Sequence, residues 1–263
     1  MEMNDQDTVG NNQAMTKPRE VFGLWRLYFL ACLCLISCFL VFFSPSFAFA
    51  QDAGYGRFIG ETIRYDVRGL GVKQADATMT LQGRTTIDGR EAYLILFQAQ
   101  GSNFLDAEKI YADHEEFFPL RIERDLNIFG SIEKIVEVYD QDQHTVTITK
   151  TTKAKPQPQV LVLTKEDKID NIYCFIYRYR LKGSFRLGSS LRMNLPTKDV
   201  SVRIAKKMPL SVAGKDFQTF FLETVPSQYR LWFDDSPDRL PLRIDKPAMI
   251  GGTSMIMTEY KKK

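Results

Sequence analysis

The chain has 263 residues, 35 of them Lys or Arg and 32 Asp or Glu, for a formal charge of +3. With 25% charged and 44% hydrophobic residues it is neither disordered nor collagen-like, and so small a charge is no argument for nucleic-acid binding. Three of the four cysteines (Cys32, Cys34, Cys38) fall in one apolar segment, leaving Cys174 alone, which excludes a disulfide framework and a zinc ribbon.

Residues 27–50 carry no charge. Lys17, Arg19 and Arg26 precede an apolar run over residues 27–43, and Pro45 then leads to Ala48, Phe49 and Ala50. Small residues at −3 and −1 after a helix breaker predict a cleaved signal peptide over residues 1–50, with a polar N-terminal extension and Met15 as a second possible start. Two alternatives stay open. The run is near the lower limit for spanning a bilayer, so an uncleaved anchor is one. The other is lipidation at Cys38 in Leu35-Ile36-Ser37-Cys38, although Phe39 to Phe43 continue the apolar run. Removing the first 50 of 263 residues, with three basic and four acidic ones, leaves 213 residues of charge +4. One β-rich exported domain is expected over residues 51–263, in the periplasm or otherwise across the inner membrane.

After Gly56 the pattern alternates. Ile63, Tyr65 and Val67 share one face, as do Ala75, Ala77, Met79 and Leu81. Asp88-Gly89 marks a hairpin turn, and residues 94–97 are apolar on both faces. Further strands are expected at 109–112, 120–126, 132–139, 145–150 and 160–163, with 150–159 as a hairpin loop. Ile169, Ile172, Tyr173, Ile176 and Tyr179 or Arg180 recur at helical spacing. They predict one helix over residues 167–181, capped by Asp167 or Asp170 and stopped by Gly183. Its aromatics, Tyr173, Phe175, Tyr177 and Tyr179, read as core. Strands resume at 191–195, 200–205, 210–212, 218–224, 229–233, 240–245 and 254–260. The fold class is mainly β: a curved antiparallel meander, a half-barrel or incomplete barrel of about ten to thirteen strands, with one helix packed on a face or mouth.

Several segments resemble a bacterial exported family called domain of unknown function 3108. Gly60-Glu61-Thr62-Ile63-Arg64-Tyr65-Asp66-Val67 is similar to its Gly-Glu-x-Leu-x-Tyr-x-Val opening. Gln74-Ala75-Asp76-Ala77-Thr78-Met79 occupies its Gly-x-Ala strand, with Ala for the usual Gly. Asp88-Gly89-Arg90-Glu91-Ala92-Tyr93 and Phe118-Pro119-Leu120-Arg121 look like its hairpin and its Leu-Pro-x-Arg turn. Residues 232–244, from Trp232 through Arg239 and Pro241, resemble its closing signature. Gly214-Lys215-Asp216-Phe217 is a weaker echo that lacks a preceding Pro. The resemblance implies a periplasmic or envelope-facing β-rich protein and no activity. Curved half-barrels that chaperone lipoproteins or bind apolar ligands are similar in outline, and fold does not fix function.

No catalytic constellation stands out. His114, in Asp113-His114-Glu115-Glu116, and His144 read as residues of charged turns rather than metal ligands. Cys174 reads as a buried thiol. Asp234, Asp235 and Asp238 read as turn chemistry, with Arg239 bridging to Asp235 or Asp238. Gly69-Leu70-Gly71 and Gly251-Gly252 read as hairpin turns. Carboxylates such as Glu61, Asp66, Asp106 and Asp113 leave a glycosidase-like pair open, and no pair is favoured. Lys206-Lys207 and Lys261-Lys262-Lys263 offer a peripheral membrane contact. No cofactor or metal is expected, and no ligand-binding residue is nominated. The leading expectation is a non-catalytic envelope protein binding an apolar or amphipathic partner: a lipid, a lipoprotein or an outer-membrane component. The alternatives are an interaction module acting through a sheet edge, or an envelope glycan or lipid hydrolase.

Overall fold

The computed structural model describes residues 54–248 and 252–262. The chain divides into two units, Met1–Ala50 and Gln51–Lys263. The leader, its cleavage after Ala50 and Cys38 lie outside the described residues, as do Gly251 and Lys263.

The described residues of the second unit form one antiparallel sheet of 14 strands, not closed into a barrel. A 3-10 turn (Tyr55–Phe58) leads into β1 (Thr62–Gly69), β2 (Val72–Ile87), β3 (Arg90–Gly101), β4 (Phe104–Asp113), β5 (Pro119–Ile128), β6 (Ser131–Asp140), β7 (Thr145–Thr152) and β8 (Gln159–Thr164). The helix α1 (Ile172–Lys182) follows. Then come β9 (Ser190–Leu195), β10 (Lys198–Val212), β11 (Lys215–Val225), β12 (Arg230–Asp234), β13 (Pro241–Lys246) and β14 (Thr253–Lys261). The two meanders join where β14 pairs with β1, so β8 and β9 are the sheet's edges.

Alternation sets the faces. Ile63, Tyr65, Ala77, Met79, Leu81 and Ile95 all point into the core. The inward residues differ in size along the strands. Met79, paired with Phe97 and Ile63, fills one half, whereas Ala75, Ala77 and Ala99 occupy the other. The expected turn at Asp88 and Gly89 is present, with φ of 50° and 77°.

Helix α1 lies against the turns at one end of the sheet. Tyr177 packs on Phe58 and Phe117, with ring centroids 5.6 and 5.7 Å away, and Tyr179 on Phe233. Arg180 forms a fully buried pair with Glu61 at 2.5 and 2.8 Å and donates to the Asp238 carbonyl. Burying charge on both sides requires such double hydrogen bonding.

The structure corrects three expectations. The helix starts at Ile172 rather than residue 167, and Asn171 caps it by accepting from the Tyr173 amide at 2.8 Å. Asp167 and Asp170 are engaged elsewhere: the Asp170 amide donates to the Asn194 carbonyl, its carboxylate holds Arg178, and the Asp167 carbonyl accepts from Asn194. Segments 200–205 and 210–212 are one strand, β10, bent by a bulge between Ile204 and Lys206. Pro209 is tolerated there because β9 pairs only with Lys198 to Arg203, so its missing N–H faces no partner strand. Even with that fusion the sheet has 14 strands, one beyond the expected range.

Candidate ligand-binding site

Away from the helix-packed turns, beside Ala99, the inward face holds a cavity of about 340 Å³. Its walls come from β1 (Val67), β3 (Phe97, Ala99), β4 (Phe104), β5 (Ile122, Leu126, Ile128), β13 (Ile244) and β14 (Met255), with Tyr229 beside them. The first turn of α1 contributes Ile172 and Tyr173, whose ring stacks on Phe97 at 4.6 Å. The lining thus joins apolar and aromatic side chains with a polar share, and the volume is at the small end of ligand pockets, roughly 300–1,000 Å³.

A charge cluster interrupts this lining. Asp106 and Glu108 share the inward face of β4 with Ile110 and Ala112. Opposite them stand Arg124 on β5 and Glu137 on β6, and Lys246 lines the same cavity. Arg124 donates twice to Asp106, at 2.6 and 2.5 Å. Glu108 lies 3.5 Å from the Arg124 Nε and receives no hydrogen bond from the described residues. Its burial pushes its carboxyl up to about 7, against the pull of Arg124 and with the help of Asp106. Burial also raises Glu137, which accepts from the Tyr139 hydroxyl. Tyr229 is pushed up to about 12, first by burial and then by Glu108. The cavity therefore holds three carboxyl groups against two cations, with Asp106 already committed to Arg124. A carboxyl titrating near neutrality can hold or release a proton, and can meet a polar head that a ligand brings.

The other sequence candidates are structural. Glu61 is locked by Arg180. Asp66 pairs with Lys73 and Arg68, and the Lys73 bond holds its carboxyl low. Asp113 accepts from the amides of Glu115 and Glu116, both at 2.9 Å, which fixes the turn carrying His114. His114 sits 3.7–3.8 Å from Glu115 and Glu91, and no group of three metal-ligating side chains occurs among the described residues. His144 occupies a left-handed turn position, φ 51°. Cys174 is fully buried, and that burial pushes its thiol well up, away from thiolate reactivity. Asp235 receives Arg239 at 2.6 Å as expected, whereas Asp238 pairs with Arg57. Lys207 is held by Asp235, Lys206 lies over Phe221 and Lys261 pairs with Glu259.

Of the four clustered residues, sequence reasoning named only Asp106, without a partner. The missing signal was present: alternation carried back from Ile110 puts Glu108 and Asp106 on the core face, where a charge is unusual.

The family profile described as "Protein of unknown function (DUF3108)" matches residues 62–258. No curated protein matches the chain. Among solved structures, the β-barrel-like protein of domain of unknown function DUF1849 from Brucella abortus aligns with a TM-score of 0.50 at 7% identity. That alignment covers 78% of this chain and 98% of that one, and it shows a shared β-barrel-like fold. A protein described as exported, with a YmcC-like fold, from Bacteroides fragilis aligns over 78% of this chain and 96% of its own, at 7% identity and a TM-score of 0.31. One described as a lipoprotein from Parabacteroides distasonis gives 77%, 95%, 7% and 0.31 for the same quantities.

Proposed function

We propose a function from geometry, because the chain belongs to the DUF3108 family, whose description assigns none. The protein is a non-catalytic binder of an amphipathic molecule. The apolar part lies among Phe97, Phe104, Tyr173, Leu126 and Met255, and the polar part meets Glu108 and Lys246. The observation that carries this reading is the cavity itself: an aromatic-walled space with one buried carboxyl that has no hydrogen-bond donor among the described residues. An unmet buried polar group costs free energy that a ligand's donor would recover. The ligand is an envelope component, a reading supported by the charge-free apolar segment at residues 27–50. Among the described residues no helix is long and apolar enough to cross a membrane.

The test is native mass spectrometry with lipid extraction on protein recovered from the cell envelope, beside an Ala99→Phe variant. Ala99 pairs directly with Asp106 across β3 and β4, so the added ring fills the cavity. A co-purifying amphiphile in the wild type that disappears in the variant is expected. An empty wild type whose affinity for a dodecyl-chain probe is unchanged by Ala99→Phe would sink the reading.

A second reading rests on β8. This edge strand exposes Val160, Leu161 and Val162 by 62, 50 and 59%. An apolar edge offers unpaired backbone groups to a partner strand. Crosslinking in the envelope with wild type and a Val160→Lys, Val162→Lys variant separates the two readings. Loss of a crosslinked protein with ligand retention would favour the edge.

A further inference from the structure

Hairpin turns alternate between the two ends of the meander. At the end opposite α1 stand the β1–β2 turn, with Leu70 and Gly71, and the β5–β6 turn, with Phe129 and Gly130. Leu70 has φ 50° and is 75% exposed; Phe129 has φ 51° and is 83% exposed. These are the first central positions of two-residue turns with positive φ throughout, where Asn, Asp and Gly are cheapest. A bulky apolar side chain there is strained and solvated at once, and folding gains nothing from it. The equivalent position of the β2–β3 turn is Asp88.

The surroundings of Phe129 extend the feature. Ile128 and Ile132 flank it, 41 and 44% exposed. The Lys153 amide donates to the Ile132 carbonyl at 3.3 Å, which brings the β7–β8 turn alongside. Lys153 and Lys155 on that turn have no carboxylate within 4.0 Å among the described residues, whereas Lys134 and Lys150 nearby are paired with Asp125 and Glu133. Ile128 also lines the cavity, so the apolar tip and the cavity wall are continuous.

We propose that this end docks on an anionic lipid bilayer. The tips at Leu70 and Phe129 enter the headgroup region, and Lys153 and Lys155 lie on lipid phosphates. A bilayer fits the observations better than a protein partner does. The two protrusions are separated by the small polar β3–β4 turn at Ser102 and Asn103. A fluid interface accepts isolated protrusions, while a protein interface needs a contiguous complementary face. The unpaired lysines supply the matching charge. Docked this way, the cavity wall at Ile128 meets the bilayer, and an amphiphile passes between them without crossing water.

The test uses the full chain, in the form the expressing cell leaves it, carrying Trp25→Phe and Phe129→Trp. Trp232, 7% exposed, is then an internal reference. Adding vesicles that contain phosphatidylglycerol and brominated lipid should shift the new indole's emission to the blue and quench it. Phosphatidylcholine vesicles should do so weakly. Lys153→Gln with Lys155→Gln should weaken vesicle affinity about thirtyfold. An indole unaffected by either vesicle overturns the proposal. So does one already shielded before vesicles are added, which would mean that protein covers the tip. A Leu70→Asn, Phe129→Asn double variant keeps the idea open to refutation independently. It should bind vesicles about tenfold more weakly while its Tm rises, since strain is relieved. A lower Tm would make the side chains structural and end the proposal.

Discussion

The two ends of this sheet are built by the same alternation and put to opposite uses. At the helix end the rings of Phe58, Phe117 and Tyr177 interlock, and a fully buried Glu61–Arg180 pair fastens α1 to the sheet. At the distal end Ala75, Ala77 and Ala99 face inward beside larger side chains, carboxyls take the inward positions of β4, and two turns carry Leu70 and Phe129. Side chains interlock at the helix end; the cavity lies where they do not. The contrast shows how one meander carries a tightly packed floor at the helix end and a cavity away from it.

The largest test breaks the floor. Glu61→Ala should cost about 3–5 kcal/mol, because it leaves Arg180 buried without its partner. Urea unfolding at neutral pH measures it. A joint replacement, Glu61→Leu with Arg180→Met, should recover most of that loss, since well-packed apolar substitutes for a buried pair are often neutral or better. A cost near that of an exposed pair, below about 1 kcal/mol, would mean that the pair does not fasten the helix.

The second test exposes the strain of the cavity. Glu108 ionises at about 7 in the folded protein, above an ordinary 4.5. Between these pH values the folded state holds more protons than the unfolded one, so stability falls as pH rises. The penalty is absent below the lower value and complete above the upper one. It amounts to at most about 3 kcal/mol from a shift of this size. Glu108→Gln removes the titration, so the variant should match the wild type at acid pH and exceed it above neutrality. Unfolding curves across that range decide it, and parallel stability profiles for the two proteins would refute the burial of this carboxyl. Filling the cavity should cost less. Ala99→Phe should alter stability by about 1 kcal/mol, because the ring enters existing space rather than packed core, and should abolish amphiphile binding.

The division between the ends also explains what could be read in advance. Strands were legible wherever burial on one face imposed a period of two, as in Ile63, Tyr65 and Val67. Turns were legible where backbone geometry restricts residue choice, as at Asp88 and Gly89. The helix was legible from its aromatic stripe and Gly183, but not its first residue. Asp167, Asp170 and Asn171 are all competent caps, and the choice falls to Asn171 because Asn194, far along the chain, engages the other two segments. The floor pair joins residues 119 positions apart, a relation no local pattern carries. The cavity cluster has the same character: Asp106, Glu108, Arg124 and Glu137 lie on three neighbouring strands, and only the register brings their side chains together.

The smallest effect is the sharpest for the comparison, because it changes sign between the ends. Phe129→Asn should stabilise the fold by about 1 kcal/mol, since asparagine tolerates the left-handed conformation that a bulky side chain resists. Asp88→Leu places the distal-end solution on a helix-end turn and should destabilise by a similar amount, losing also a 3.7 Å pairing with Arg121. Thermal unfolding of the two single variants reads both. If both lose stability, Phe129 is held by contacts that offset its strain, and the apolar tips belong to the fold. If the signs oppose, Phe129 persists at the distal turn against the preference of the backbone. The distal end then keeps it for something outside the folded chain.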